Sequence, residues 1–185
     1  MLVADIRFCE EADAAQVIDV DRSSPHPWPD SLILSDLRRG DFSYIGAFGA
    51  GEKSDLMGYA VLGSEKKNGL LANIVVAPPY RRRGIGAQLV IAAAECAEGL
   101  SYGALILRVR VSNNGAAALY KGLGFVETAK RAKYYSDGET ASQMILKLPY
   151  TLPEDEYVTE EDNDGGRDDD GVPSVRGWFR GLLRW

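Results

Sequence analysis

The segment from Ile74 to Gly86 constrains this chain more than any other. It reads Ile74-Val75-Val76-Ala77-Pro78-Pro79-Tyr80-Arg81-Arg82-Arg83-Gly84-Ile85-Gly86. The β-branched run at its start predicts a buried strand. Two consecutive prolines, which lack the N–H a sheet ladder needs, end it. An alanine-rich helix is predicted from about Gly86 to Glu98. A strand, a glycine-bearing turn and a helix start aim several backbone N–H groups at one point, with the positive end of the helix dipole behind them. The turn therefore predicts a site for a phosphorylated carrier, with Arg81, Arg82 and Arg83 neutralising its charge. The bland alternative is a strand-to-helix turn carrying a solvated basic patch.

The turn is neither of the common nucleotide loops. A Walker loop needs Lys followed by Ser or Thr after its second glycine, and neither follows Gly84 or Gly86. A dinucleotide fingerprint needs a third glycine where Leu89 stands. What remains is R-x-x-G-x-G.

A second segment narrows the reading. Leu105 to Val111 predicts a strand, Ser112-Asn113-Asn114-Gly115 a helix start, Ala116 to Tyr120 a short helix, and Gly124-Phe125 its stop. The pairing of R-x-x-G-x-G with S-N-x-x-A-x-x-L-Y-x-x-x-G-F resembles the GNAT acetyltransferase superfamily. It is most similar to the RimI-type group, which acetylates the N-terminal alanine of a ribosomal protein. Pro27-Trp28, Asn73-Ile74 and Lys133-Tyr134-Tyr135 followed by Asp137-Gly138 support the likeness, which runs from about Ile6 to Leu148.

The order of elements predicts an α/β (α+β) domain. Its mixed, mostly antiparallel sheet of about seven strands carries one parallel pair beside the phosphate-turn helix, and about four helices flank it. Strands are expected near 3–8, 43–50, 56–63, 69–77, 103–111, 126–133 and 140–148. Helices are expected over about 10–22, from Asp30 or Ser31 (either of which can cap) to Gly40, over 86–98, and around Tyr120. The resemblance implies that the parallel pair splays apart and that a pantetheine arm lies in the gap.

Net charge is −6, but residues 1–150 carry 17 acids and 17 bases. Residues 151–173 hold ten acids and one arginine, and 174–185 three arginines and no acid. We therefore divide the chain into a catalytic-type domain over 1–150, an acidic disordered linker over 151–173 and a basic amphipathic segment over 174–185. That last segment suits docking on its own domain, on a partner or on a membrane surface. No apolar run reaches membrane-spanning length, no basic-then-apolar leader opens the chain, and the expected location is cytoplasmic. Two separated cysteines and a single histidine argue against a disulfide framework and a zinc site, so no metal is expected. No nucleic-acid partner is expected either.

The resemblance implies acetyl-CoA as co-substrate and an amine as acceptor, foremost a protein N-terminus. Ile74, Val75 and Val76 would pair with the pantetheine amides, Arg82, Arg83, Gly84, Ile85, Gly86 and Ala87 would cradle the pyrophosphate, and Asn113 would bond the carrier while also suiting a helix N-cap. Val76 N–H would polarise the thioester carbonyl. Tyr120 would give a proton to the leaving thiolate, although a core tyrosine is the plain alternative. Pro27, Trp28, Tyr134 and Tyr135 would line the acceptor cleft.

The general base is where the chain departs from the group. Arg108 occupies the position of its glutamate, and an arginine cannot accept a proton at neutral pH. Candidate replacements are Glu139, Asp137 and His26. Loss of a base matters less for an α-amine than for a lysine. The first, with a pKa of about 7.7–8.0, is roughly one-tenth neutral at pH 7; the second is neutral about once in 2,500, a gap of about 3.3 kcal/mol. Arg108 could instead read a carboxylate on a small-molecule amine. A non-catalytic acyl-CoA-binding module is the reading from another class.

Overall fold

The computed structural model describes residues 2–50 and 55–150. The linker and amphipathic segment expected within 151–185 lie outside the described residues, as does most of the turn expected at 51–55.

Seven strands build one sheet in the order β1-β2-β3-β4-β5-β7-β6, with β2 and most of β3 buried on both faces. The strands are β1 (Asp5–Phe8), β2 (Ser43–Phe48), β3 (Leu56–Glu65), β4 (Asn68–Val76), β5 (Ala104–Arg110), β6 (Val126–Arg131) and β7 (Ala141–Lys147). Every neighbouring pair is antiparallel except β4 and β5. Those two need a crossover, supplied by helix α3 (Ile85–Gly99). The expected mixed sheet with one parallel pair is therefore present.

The sheet separates two cores. On one face Leu89, Val90 and Ala93 of α3 pack on Ala60, Leu105, Leu107 and Met144, joined by Tyr120 and Phe125. On the other, α1 (Ala14–Asp21) and α2 (Asp30–Arg39) lay Val17, Val20 and Ile33 over Tyr44, Phe48, Tyr59 and Val61. Burying each large aliphatic side chain contributes about 1.5–3 kcal/mol, so both layers are held chiefly by apolar burial. Because α3 lies against the sheet, Leu89, Val90 and Ala93 are all buried and the helix is apolar on most of its surface. Helix α4 (Asn114–Gly122) follows β5.

Three local readings change. The helix expected from Glu10 begins as a 3-10 turn, Glu11–Asp13, because Asp13 turns inward to Arg7 at 2.7 and 2.8 Å and its Oδ2 accepts the Glu10 N–H. Neither Asp30 nor Ser31 caps α2: Pro29 stands at the cap and Asp30 lies in the first turn, with Arg38 and Arg39 in the last, all favourable to the helix dipole. Strand β3 runs two residues past Gly63 to Glu65, and the hairpin turns at Lys66-Lys67, with Lys66 at φ 59°.

One irregularity shapes everything that follows. Val61 faces Asn73 and Leu62 faces Leu71, so Ala72 is an extra residue on β4. A bulge bends its strand. The parallel pairing of β4 with β5 runs only from Gly69↔Leu105 to Leu71↔Leu107 and stops at that bulge. Beyond it the two strands part, and a gap opens between them.

Candidate active site

The free edge of β4 comes from register alone. Ala77 N–H bonds Met57 O at 2.9 Å, so residues 75 and 77 direct their polar backbone toward β3. Ile74 and Val76 alternate with them and face the gap. The side chain of Val75 is buried among α1 and α2, while Ile74 and Val76 pack toward α3.

Past β4, Pro78–Tyr80 form one 3-10 turn and Gly84 caps α3 at φ 87°. That left-handed conformation costs an L side chain about 1–2 kcal/mol, which explains glycine there. Gly86 is required differently. A Cβ on it would stand 3.2 Å from Leu119 Cδ2, so it admits close packing of α4 rather than an unusual φ. Gly84 has no side chain to cap the helix, so the first N–H groups of α3, at Ile85, Gly86 and Ala87, open outward beside exposed Arg82 and Arg83. The donor set fits an anion such as a pyrophosphate. Arg81 is employed elsewhere: its Nε donates to Val76 O at 2.8 Å and its Nη2 to Ser23 O at 3.1 Å. It ties the turn to the loop after α1.

Tyr120 lies on α4, 5 % exposed, with its ring 5.7 Å from Phe125. Burial, and then the nearby Tyr135, push its phenol pKa above the ordinary value. It stays protonated through neutral pH. Asn113 caps α4, its Oδ1 accepting Ala116 N–H at 3.1 Å, and its exposure leaves the Nδ2 group available.

Across the gap the site is built of charged side chains. Arg108 and Arg110 of β5 point to the face opposite Leu107 and Val109. Tyr134 and Tyr135, in the connection from β6 to β7, lie over them. Arg110 stands 3.9 Å from the Tyr135 ring and Arg108 5.7 Å from that of Tyr134, while Tyr135 Oη donates to Arg108 O at 3.3 Å. Arg110 Nη1 donates to Asp137 and Glu139, both at 2.7 Å, and Glu139 also accepts Ser112 N–H at 3.0 Å. The Ser112 bond first, then Arg110, hold the Glu139 carboxyl down at about 2. A carboxylate held that low is a weak proton acceptor. Asp137 is lowered too, first by the Glu139 N–H and then by Arg110. Both carboxylates are thus engaged by Arg110 in this structure.

His26 and Pro27 are exposed in the loop between α1 and α2, and Trp28 is half-buried. This loop is anchored by a buried carboxylate: Asp21, at the end of α1, accepts Trp28 N–H at 2.6 Å and the Tyr59 hydroxyl at 2.5 Å. Asn73 Nδ2 donates to the same hydroxyl at 3.2 Å. The loop between α1 and α2 is thereby bolted to β3 and β4 next to the gap.

Asp21, Tyr59 and Glu65 are the residues that sequence reasoning passed over. Glu65 receives Arg108 Nη2 at 2.7 Å on both carboxylate oxygens. The signal for it was weak, because the strand expected over 56–63 stops two residues short of it and leaves Glu65 in the turn. Asp21 could have been suspected as an acid on the buried face of a helix.

The sequence profile of the Acetyltransferase (GNAT) family matches residues 11–125. An N-alpha-acetyltransferase of Sulfurisphaera tokodaii is 32 % identical over 158 residues, covering 77 % of this chain and 92 % of its own. A [ribosomal protein bS18]-alanine N-acetyltransferase of Escherichia coli is 31 % identical over 133 residues, 71 % of this chain and 86 % of the relative. The crystal structure of the ribosomal-protein-S18-alanine N-acetyltransferase from Escherichia coli superposes with a TM-score of 0.69 at 27 % identity, over 84 % of this chain and 99 % of that one.

Proposed function

Because the chain belongs to the GNAT acetyltransferase family and so transfers acetyl to an amine, we propose that its acceptor is the N-terminal α-amine of a protein and its donor acetyl-CoA. The non-catalytic reading falls with that membership. The reading of the acceptor rests on one observation: among the described residues, the carboxylates expected as replacement bases, Glu139 and Asp137, are both engaged by Arg110. Arg108 is paired to Glu65, and Glu139 is held near 2. An α-amine, roughly one-tenth neutral at pH 7, tolerates this far better than a lysine. The relatives named as N-alpha-acetyltransferases point the same way. A ribosomal protein is the natural first candidate, given the Escherichia coli relative.

Acetyl-CoA supplies an activated thioester. The chain's part is to hold and to move one proton. The gap-facing backbone of Ile74 and Val76 would bind the pantetheine amides, with Val75 fixing the strand. The N–H groups of Ile85, Gly86 and Ala87, with Arg82, Arg83 and the opening at Gly84, would hold the pyrophosphate. Arg81 would serve by fixing the turn, and Asn113 would add its free amide. Val76 N–H would meet the carbonyl oxygen, and water would carry the amine's proton away. Tyr120, protonated at neutral pH, would give its proton to the departing sulfur. Pro27, Trp28, Tyr134 and Tyr135 would border the entering peptide. We place this machinery in a domain over 1–150 and in the cytoplasm; the described residues contain no helix long and apolar enough to cross a membrane.

The test is acetylation of a peptide array by purified protein with acetyl-CoA. Modification of Ala- or Ser-starting N-termini is expected. Transfer to small amines alone would overturn the reading and favour the small-molecule alternative, for which the buried, unpartnered Arg108 Nε is the supporting feature.

A further inference from the structure

Arg108 stands at the bulge-level vertex where β4 and β5 separate, one residue beyond their last pairing at Leu71↔Leu107. Its side chain is 11 % exposed, and the Glu65 side chain, from the end of β3, is 35 % exposed. Both oxygens of Glu65 lie 2.7 Å from the same guanidinium nitrogen. Arg108 Nε is buried and has no partner among the described residues. The nearest comparable arginine, Arg110, is already shared between Asp137 and Glu139. Both arginines of β5 that face the gap are therefore matched by internal carboxylates.

We propose that Glu65 is a positioning residue that sets acceptor specificity: by neutralising Arg108 it excludes amines with a carboxylate close to the reacting nitrogen. The proposal rests on the acetyl-transfer reading of the gap. A guanidinium is a planar fork suited to carboxylates, and a half-buried one without a partner is a strong carboxylate reader. Glu65 occupies that fork from within the chain. An acidic acceptor would have to displace it or sit against its charge, and a like charge at such range, away from bulk water, is poorly tolerated. The spare Nε keeps one donor for a neutral oxygen, such as a peptide carbonyl, without demanding a negative group.

The argument predicts how selectivity moves when the fork is freed. In Glu65→Gln the partner keeps its size and loses its charge, so Arg108 becomes an unmatched cation. Two peptide amides are compared, identical except for Ala or Glu at the second position, alongside free alanine and alaninamide. In the wild type the acidic member of each pair is disfavoured. In Glu65→Gln the ratio of kcat/KM for acidic over neutral acceptors should rise about tenfold, mostly through KM. The Glu65→Gln, Arg108→Gln double variant should return the ratio to within about twofold of wild type, because the cation that was unmasked is gone. Melting temperatures of both variants distinguish lost folding from altered choice, and the ratio does not depend on the active fraction.

An unchanged ratio in Glu65→Gln would overturn the proposal, as would a raised ratio that persists in the double variant. Should the peptides fail while the alanine pair is acetylated, the protein N-terminal reading fails and the proposal is read on that pair alone. No transfer to any of the four acceptors would overturn both.

Discussion

The two walls of the gap are made of different material. The wall on the β4 side is backbone: the outward edge of Ile74 and Val76, and the first N–H groups of α3. The wall on the β5 side is side chains in charge pairs: Arg108 with Glu65, and Arg110 with Asp137 and Glu139. Backbone donors tolerate change in the residues that carry them, so this wall suits a reactant that never varies. Charge pairs can be re-matched by one substitution, so the opposite wall suits a reactant that differs between enzymes. Arg108 on β5, matched by Glu65 from the end of β3, is a pair of this kind.

The largest effect that tests this contrast belongs to Tyr120, the proposed proton donor. Tyr120→Phe should lower kcat by about 10²-fold or more, the usual scale for a lost proton donor. Acetyl-CoA affinity by titration calorimetry should change less than twofold, and equal losses in both would deny Tyr120 a role distinct from packing. Next comes the backbone wall. Gly84→Val forces a β-branched residue to φ 87° and should weaken acetyl-CoA binding about tenfold, the equivalent of about 1.4 kcal/mol. The KM for the acceptor peptide should stay put, and a shift there instead would blur the division.

A smaller effect is expected at the bolt beneath the acceptor loop. Asp21→Ala leaves the Tyr59 hydroxyl and Trp28 N–H without their acceptor, a cost of about 1–3 kcal/mol. It should lower the melting temperature by several degrees and raise acceptor KM more than acetyl-CoA KM. The smallest is a pH effect on the side-chain wall. Glu139 has its folded pKa depressed to about 2, so the stability it lends is present above its ordinary range near 4.5 and is lost as pH falls through 2. Tyrosine fluorescence from the Tyr134–Tyr135 loop should hold steady down to about pH 4 and change below pH 3. Loss already at pH 5 would mean that Arg110 does not clamp this loop.

Most of the backbone wall was legible in the chain because it is local. The strand, the prolines, the turn and the helix are contiguous from Ile74 to Ala87, and hydrophobic period and glycine placement carry their meaning within a dozen residues. The same holds for Asn113 and Tyr120 on their short helix. The structure adds local roles that the chain did not advertise: Arg81 donates to Val76 O and Ser23 O, and a Cβ on Gly86 would stand 3.2 Å from Leu119.

The side-chain wall was much less legible. Arg108 stood out only as a departure from a pattern. Its partner Glu65 is 43 residues away in sequence, on a strand whose end was misplaced by two residues. A two-residue error along a strand keeps the face but drops the residue, so the carboxylate nearest to Arg108 was assigned to a turn. Asp21, 38 residues from Tyr59, carried no local mark of its role either.

What the sequence determined by itself is therefore the order of elements, the mixed sheet, the glycine-bearing turn from β4 into α3 and the tyrosine on the following helix, because each rests on periodicity and turn chemistry among neighbours in the chain. Only the tertiary structure decided where the gap opens and how its charges are matched. The first depends on an extra residue, Ala72, that has meaning only against the register of β3. The second depends on which acid reaches which arginine, and electrostatic pairing acts through space between strands that the chain itself keeps far apart.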